Sequence, residues 1–317
     1  LVSIELKDTQ IRNYPTFLNT KKPLTTNISD LKEEKLMDLE PLKKLDNLRS
    51  VSFEGCNCFI HEDHRWVLPV IHDAQVKEIL PKPCTIIIFD AHHDASDPIC
   101  PEDIRELRKS GFDTSDLIDL CKNKLKKMDD DWLKAGMELG LIDDVVIFGV
   151  DNYFDKEKLR EYEDHCGVKH RIEMIQSIIS ELSDNQGDLN DLARSKELCG
   201  LWDILGWEYS PEHGFMFSDD KKSILLDIDL DCFAVFWREY HFPWPHEVFE
   251  NEFFRPSQHS TTSGWNAAKF LEEFISRAAL ITIAEEPDFC GGIEKSNIIF
   301  DRVNKYLFQK RLSIEAE

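Results

Sequence analysis

Asp90, His92 and Asp94 fall within five residues of one another, directly after the apolar run Ile86-Ile87-Ile88-Phe89. Carboxylates and an imidazole at that spacing form a natural ligand set for a divalent cation. A second pair, Asp227 and Asp229, ends the run Ile224-Leu225-Leu226 and shares one strand face at period two. Holding these acids close together away from water is prohibitively costly unless cations neutralise them. Two divalent ions meet that need.

The elements that must present these residues are legible in the flanking pattern. An unbroken β-branched run such as Ile86 to Phe89 suits a strand buried on both faces of a parallel sheet. In open α/β sheets ligands bind beyond the carboxyl ends of such strands, which is where the acids emerge. Further strands are expected near Val51 and over 145–150, 168–172 and 281–285. Helical spacing covers 66–80, 102–109, 115–127, 132–139, 264–280 and 295–311. This alternation predicts an α/β fold, a three-layer α/β/α sandwich with a mainly parallel central sheet. We expect one domain over 1–317, with an insertion or lid around 180–220. The aromatic run 233–254 reads as a packed surface loop covering one end of the sheet.

Composition narrows the partners. With 38 basic against 61 acidic residues the formal charge is -23, which argues against nucleic acid or an anionic membrane and suits a cationic substrate. Nine scattered cysteines match reduced, cytoplasmic usage. Cys56, Cys58, His61 and His64 form half of a zinc pattern without a second pair at zinc-finger spacing. No apolar stretch reaches the ~18 residues of a membrane span, and no basic-then-apolar leader opens the chain. The absent initiator Met suggests a trimmed start, and self-association as a homo-oligomer stays open.

The segments Phe89-Asp90-Ala91-His92-His93-Asp94 and Leu226-Asp227-Ile228-Asp229 resemble the dimetal signature of the arginase/ureohydrolase superfamily. With His72, Phe148-Gly149-Val150-Asp151 and Thr282-Ile283-Ala284-Glu285-Glu286-Pro287, the pattern is similar to the branch that includes peptide arginases. That resemblance implies two Mn²⁺ per chain, bridged by Asp90 and Asp227, with His72 and Asp94 completing one site and His92 and Asp229 the other. Oxygen-rich ligation with one imidazole per ion suits manganese. It further implies hydrolysis of the guanidinium of arginine, within a ribosomally made precursor peptide, to ornithine and urea. Asp94 would also carry a proton to the leaving nitrogen. A carboxylate must hold the cationic guanidinium; Glu285 or Glu286 is placed for this, with Glu285 favoured, and Asp151 could grip part of the substrate's main chain.

Several points stay open at this level. His61 and His64 compete with His72 as the upstream ligand. Leu230-Asp231-Cys232-Phe233 replaces the Gly-Leu-Asp-Pro type of turn seen in ordinary arginases, so Asp231 either supports the metals from outside their ligand shell or caps the turn. His93, His213 and His241 are candidates for a proton shuttle. The competing functions are hydrolysis of a free guanidino compound, a one-zinc deacylase, and an arginase-like scaffold without activity.

Overall fold

Ile86, Ile87 and Ile88 are all fully buried, and burying each such side chain contributes about 1.5–3 kcal/mol. They lie on β3 (Cys84–Phe89) near the middle of an eight-stranded sheet in the computed structural model. The structure describes residues 40–45, 47–53, 55–126, 130–149, 161–175, 207–210, 214–217, 224–237, 240–250, 271 and 274–312. Asp151 and His213, the expected helix 264–280 up to its last turn, and most of the expected lid at 180–220 lie outside them.

The other strands of the large sheet are β1 (Arg49–Phe53), β2 (Cys56–His61), β4 (Ile142–Phe148), β5 (Glu161–Glu163), β6 (Lys169–Ile175), β9 (Ile224–Asp229) and β12 (Ala278–Ala284). Their order is β1-β2-β12-β9-β3-β4-β6-β5. All neighbours from β2 across to β6 pair in parallel, and only the outer strands β1 and β5 run antiparallel. The fold is therefore α/β with a large, mostly parallel sheet. Two small hairpins stand apart from it: β7–β8 (Trp207–Ser210, Gly214–Phe217) and β10–β11 (Ala234–Trp237, Tyr240–Pro243).

Alternation along the strands feeds two apolar layers. Ile86 and Ile88 pack with Leu68, Ile71, Leu117 and Leu133, which come from α1 (Val67–Val76), α3 (Thr114–Asn123) and α4 (Trp132–Glu138). Ile87 and Phe89 point the other way, into a cluster with Phe274, Ile299 and Val303, the last two on α6 (Ile293–Tyr306). Helices thus cover both faces. Local signals set their starts: Asp113 and Asp116 form a reciprocal capping box on α3, and Pro101 opens α2 (Pro101–Ser110).

Two expectations need correction. Residues 278–280 begin β12 rather than ending a helix, because the β-branched run that follows them pairs between β2 and β9. The aromatic run is not a loop throughout: a 3-10 turn (Leu230–Phe233), the β10–β11 hairpin and the short α5 (His246–Val248) organise its described part.

Candidate metal centre

Parallel pairing brings the carboxyl ends of β2, β12, β9, β3 and β4 to one edge of the sheet. Across that edge His61 aligns with Ala284, Ala284 with Asp229, Ile228 with Phe89, and Phe89 with Phe148. The residues just beyond these ends must therefore converge. They are His64 after β2, Glu286 after β12, Asp227, Asp229 and Asp231 at the end of β9, and Asp90, His92 and Asp94 after β3.

Each is locked by the local chain. Asp63 caps the turn His64–Trp66 by accepting the Arg65 N–H, which swings His64 inward, where it is completely buried. Asp94 adopts a left-handed backbone (φ 47), which Asp tolerates better than most residues. Its carboxylate accepts a 2.5 Å hydrogen bond from Trp132 Nε1, so α4 fixes its direction. Asp227 accepts from Thr282 Oγ1 at 2.5 Å across the β9–β12 pair. Gly149 (φ 107) lets β4 pass close by, since a Cβ there would lie 2.8 Å from both the Asp90 carbonyl oxygen and Cys232 Sγ.

His64 is the hub. Its Nε2 donates to Asp227 Oδ2 at 2.6 Å, while Nδ1 lies 2.9 Å from Asp94 Oδ2, 3.2 Å from Asp229 Oδ2 and 3.7 Å from Asp90 Oδ2. None of those three approaches has hydrogen-bond geometry, and Nδ1 is left buried without a bond. Asp90 Oδ2 and Asp231 Oδ2 are also buried and unbonded. Buried polar atoms are almost always satisfied, so lone pairs that face one another across a common space are best explained by a cation between them.

Among the described residues three sets of side chains come close enough to share an ion: His64, Asp90 and Asp229; Asp90, His92 and Asp231; and Asp229, Asp231 and Glu286. The first two share Asp90. Buried His and Asp clusters at this edge could therefore hold metal, and the residues present fit such an ion.

Electrostatics point the same way. Burial and the charges of Asp94 and Asp229 push the Asp90 carboxyl well above its ordinary range, and burial with Asp231 lifts Asp229 to about 7. Burial alone would lower the His64 pKa, yet Asp227 and Asp94 raise it well above normal. His92 likewise rises to about 9 against the cost of burial, chiefly through Asp231. Without a metal, protons on these groups supply the positive charge that the cluster demands.

No protein-family model matches the chain, and no curated protein matches its sequence. What can be said of the site comes from its residues.

The structure brings Asp90, His92, Asp94, Asp227 and Asp229 to one edge, but among the described residues the groups close enough to share an ion include neither Asp94, bonded to Trp132, nor Asp227, whose two oxygens bond His64 and Thr282, so the expected bridging position of Asp227 is not seen. It does not gather His72. That residue lies mid-helix on α1, with Nδ1 3.0 Å from Thr114 Oγ1 and its ring against Phe112. Burial, and then Lys82, lower its pKa, the opposite of a site rich in carboxylates. His64 takes the place expected of it, because the ligand is carried by the turn following β2 and not by the helix beyond.

The two glutamates also separate. Glu285 turns away from the cluster and pairs with Arg49 at 2.5 Å, at the wall of a 370 Å³ cavity lined also by Asn47, Glu62 and Ser296. Glu286, buried at a left-handed position (φ 31), faces the acids and accepts the His64 N–H at 3.3 Å. Glu285, expected to face the site, is instead matched in charge by Arg49.

Asp231 and Trp132 join the site as well. The Asp-X-Asp-X-Asp spacing of Asp227, Asp229 and Asp231 was the available signal for the first. Nothing local marked Trp132. His93 accepts the Ala95 N–H at 3.0 Å, and His241 bonds through Nδ1 to the Phe289 carbonyl, so both have structural partners.

Proposed function

We propose that the chain is a metal-dependent hydrolase of the arginase type, acting on the guanidinium of a peptidyl arginine to release urea and leave ornithine. The observation that carries this reading is the arrangement around Asp90, which is shared by two histidine-carboxylate sets at the carboxyl ends of parallel strands of one sheet. Paired sites with a common carboxylate suit two Mn²⁺, given the excess of oxygen over nitrogen donors. Bound there, the ions would lower the pKa of water and supply a nucleophile at neutral pH.

The chain's own residues would do the rest. Glu286 faces the cluster and supplies a negative charge for the substrate's guanidinium. Asp94, aimed by Trp132, would pass a proton to the departing nitrogen. His64, held by Asp227, sets the inner wall. His92 retains 39% of its side-chain exposure, so substrate would enter from its side.

A peptide substrate is favoured over a free amino acid by what borders that entrance. The His92 ring packs edge-on to Phe289, whose carbonyl anchors His241 of the β10–β11 hairpin. The hairpin, tied to the entrance through His241, carries Val235, Tyr240 and Phe242, each between 42% and 56% exposed. Exposed apolar surface next to a site supports binding of an extended ligand. Incubating the Mn²⁺-loaded protein with arginine-containing peptides and with free arginine tests the choice. Urea from peptides is expected; urea from free arginine alone contradicts it, and one zinc per chain with no urea from either substrate favours a deacylase.

A further inference from the structure

The resemblance to arginases places Asp229 with His92 on the second ion, but the geometry divides the acids of β9 differently. Asp229 directs Oδ2 toward His64, at 3.2 Å from Nδ1. Its other oxygen accepts the Asp231 N–H at 3.0 Å and so caps the 3-10 turn that follows the strand. That tight turn brings Asp231 back against the chain leaving β3.

Asp231 is completely buried. Its Oδ1 accepts the Ala91 N–H at 3.2 Å, which ties the turn after β9 to the loop carrying Asp90 and His92. Its Oδ2 makes no hydrogen bond, although His92 Nδ1 is only 2.8 Å away. Asp90 Oδ2 is likewise buried and unbonded. Asp231 belongs to two of the three sets able to share an ion, with Asp90 and His92 in one and with Asp229 and Glu286 in the other.

We propose that Asp231 is a direct ligand of the second metal ion, completing a set of Asp90, His92 and Asp231 while Asp229 serves the first ion with His64. A residue that only tied the turn to the Ala91 N–H would need neither full burial nor a second oxygen aimed at His92 Nδ1, where both can share an ion with Asp90. The proposal rests on the metal-dependent reading above.

Mn²⁺ titration by calorimetry, with bound ions counted by EPR, on wild type and Asp231→Asn is the first test. Wild type should bind two ions, and the variant should keep the first while the second weakens about tenfold or more. Because removal of a supporting residue also weakens metal binding, Asp231→Cys is loaded with Co²⁺ and compared with wild type. A new sulfur-to-cobalt charge-transfer band is expected of a direct ligand. No new band would mean that Asp231 acts through His92, and the ligand assignment falls. Asp231→Asn binding both ions as wild type does would also overturn it while leaving the functional reading intact, whereas wild type binding no Mn²⁺ removes that reading itself. Should Asp231→Asn not fold, Asp231→Ser, which retains an oxygen for the Ala91 N–H, takes its place.

Discussion

His64 donates from Nε2 to Asp227 Oδ2 at 2.6 Å and turns its unbonded Nδ1 toward Asp90, Asp94 and Asp229. A carboxylate that fixes one ring nitrogen leaves the other as a directed lone pair for a metal. His64→Ala should therefore weaken Mn²⁺ binding about tenfold or more. His72→Ala should leave Mn²⁺ affinity unchanged while costing about 1–3 kcal/mol of stability through loss of the Thr114 hydrogen bond and the ring contact with Phe112. Calorimetric titration and thermal melts of the two variants distinguish the histidines.

The contrast between these histidines shows what the sequence could reveal. Asp90, His92, Asp94, Asp227 and Asp229 were readable because each follows an apolar run that can only be an interior strand, and parallel strands deliver their ends to one edge. His72 lies on a helix whose apolar spacing is plain, but spacing shows which face is buried and not what that face meets. The better clue was position: His64 follows β2 by three residues, at the edge where Asp90 also emerges. Glu285 and Glu286 could not be told apart because the left-handed turn at Glu286 decides which one faces inward. Trp132 reaches Asp94 from 38 residues away in the chain, a contact set by the docking of α4.

Metal-free protein should lose stability as pH rises. Asp229, at about 7 in the fold against an ordinary 3.8, and Asp90, raised in the same direction, are held more easily protonated than ionised. Their stabilising contribution is full below the unfolded pKa and fades as pH climbs through the folded value. His64, also raised, adds to the same trend above its ordinary 6.5. The melting temperature without metal should fall between about pH 5 and about pH 8, and Mn²⁺ should raise it more at the upper end. A metal-free melting temperature that climbs across this window would show that the cluster does not behave as a buried set of acids.

Trp132→Phe keeps the buried ring but removes the N–H that aims Asp94. A hydrogen bond to a charged group contributes about 1.5–3 kcal/mol, so urea turnover should drop about ten- to hundredfold while circular dichroism stays that of the wild type. Unaltered kcat would mean that Asp94 needs no such alignment.

At Gly149, an added methyl would meet the Asp90 carbonyl oxygen and Cys232 Sγ at 2.8 Å, in a backbone conformation (φ 107) that alanine resists. Gly149→Ala should cost about 1–3 kcal/mol through overpacking and shift the loop that carries Asp90 and His92. Denaturant melts should show the loss of stability, and Mn²⁺ affinity should fall with it.

The most direct measurement uses an arginine peptide carrying ¹³C in the guanidinium, incubated with the Mn²⁺-loaded protein and with its Asp90→Asn variant, and follows ¹³C-urea by NMR and the peptide by mass spectrometry. Wild type should release labelled urea and leave ornithine in the peptide, and Asp90→Asn, which removes the carboxylate shared by the two ligand sets, should release none. A Mn²⁺-loaded wild type that leaves every arginine peptide and free guanidino compound intact, or an Asp90→Asn variant as active as wild type, would contradict metal-dependent guanidinium hydrolysis at this site.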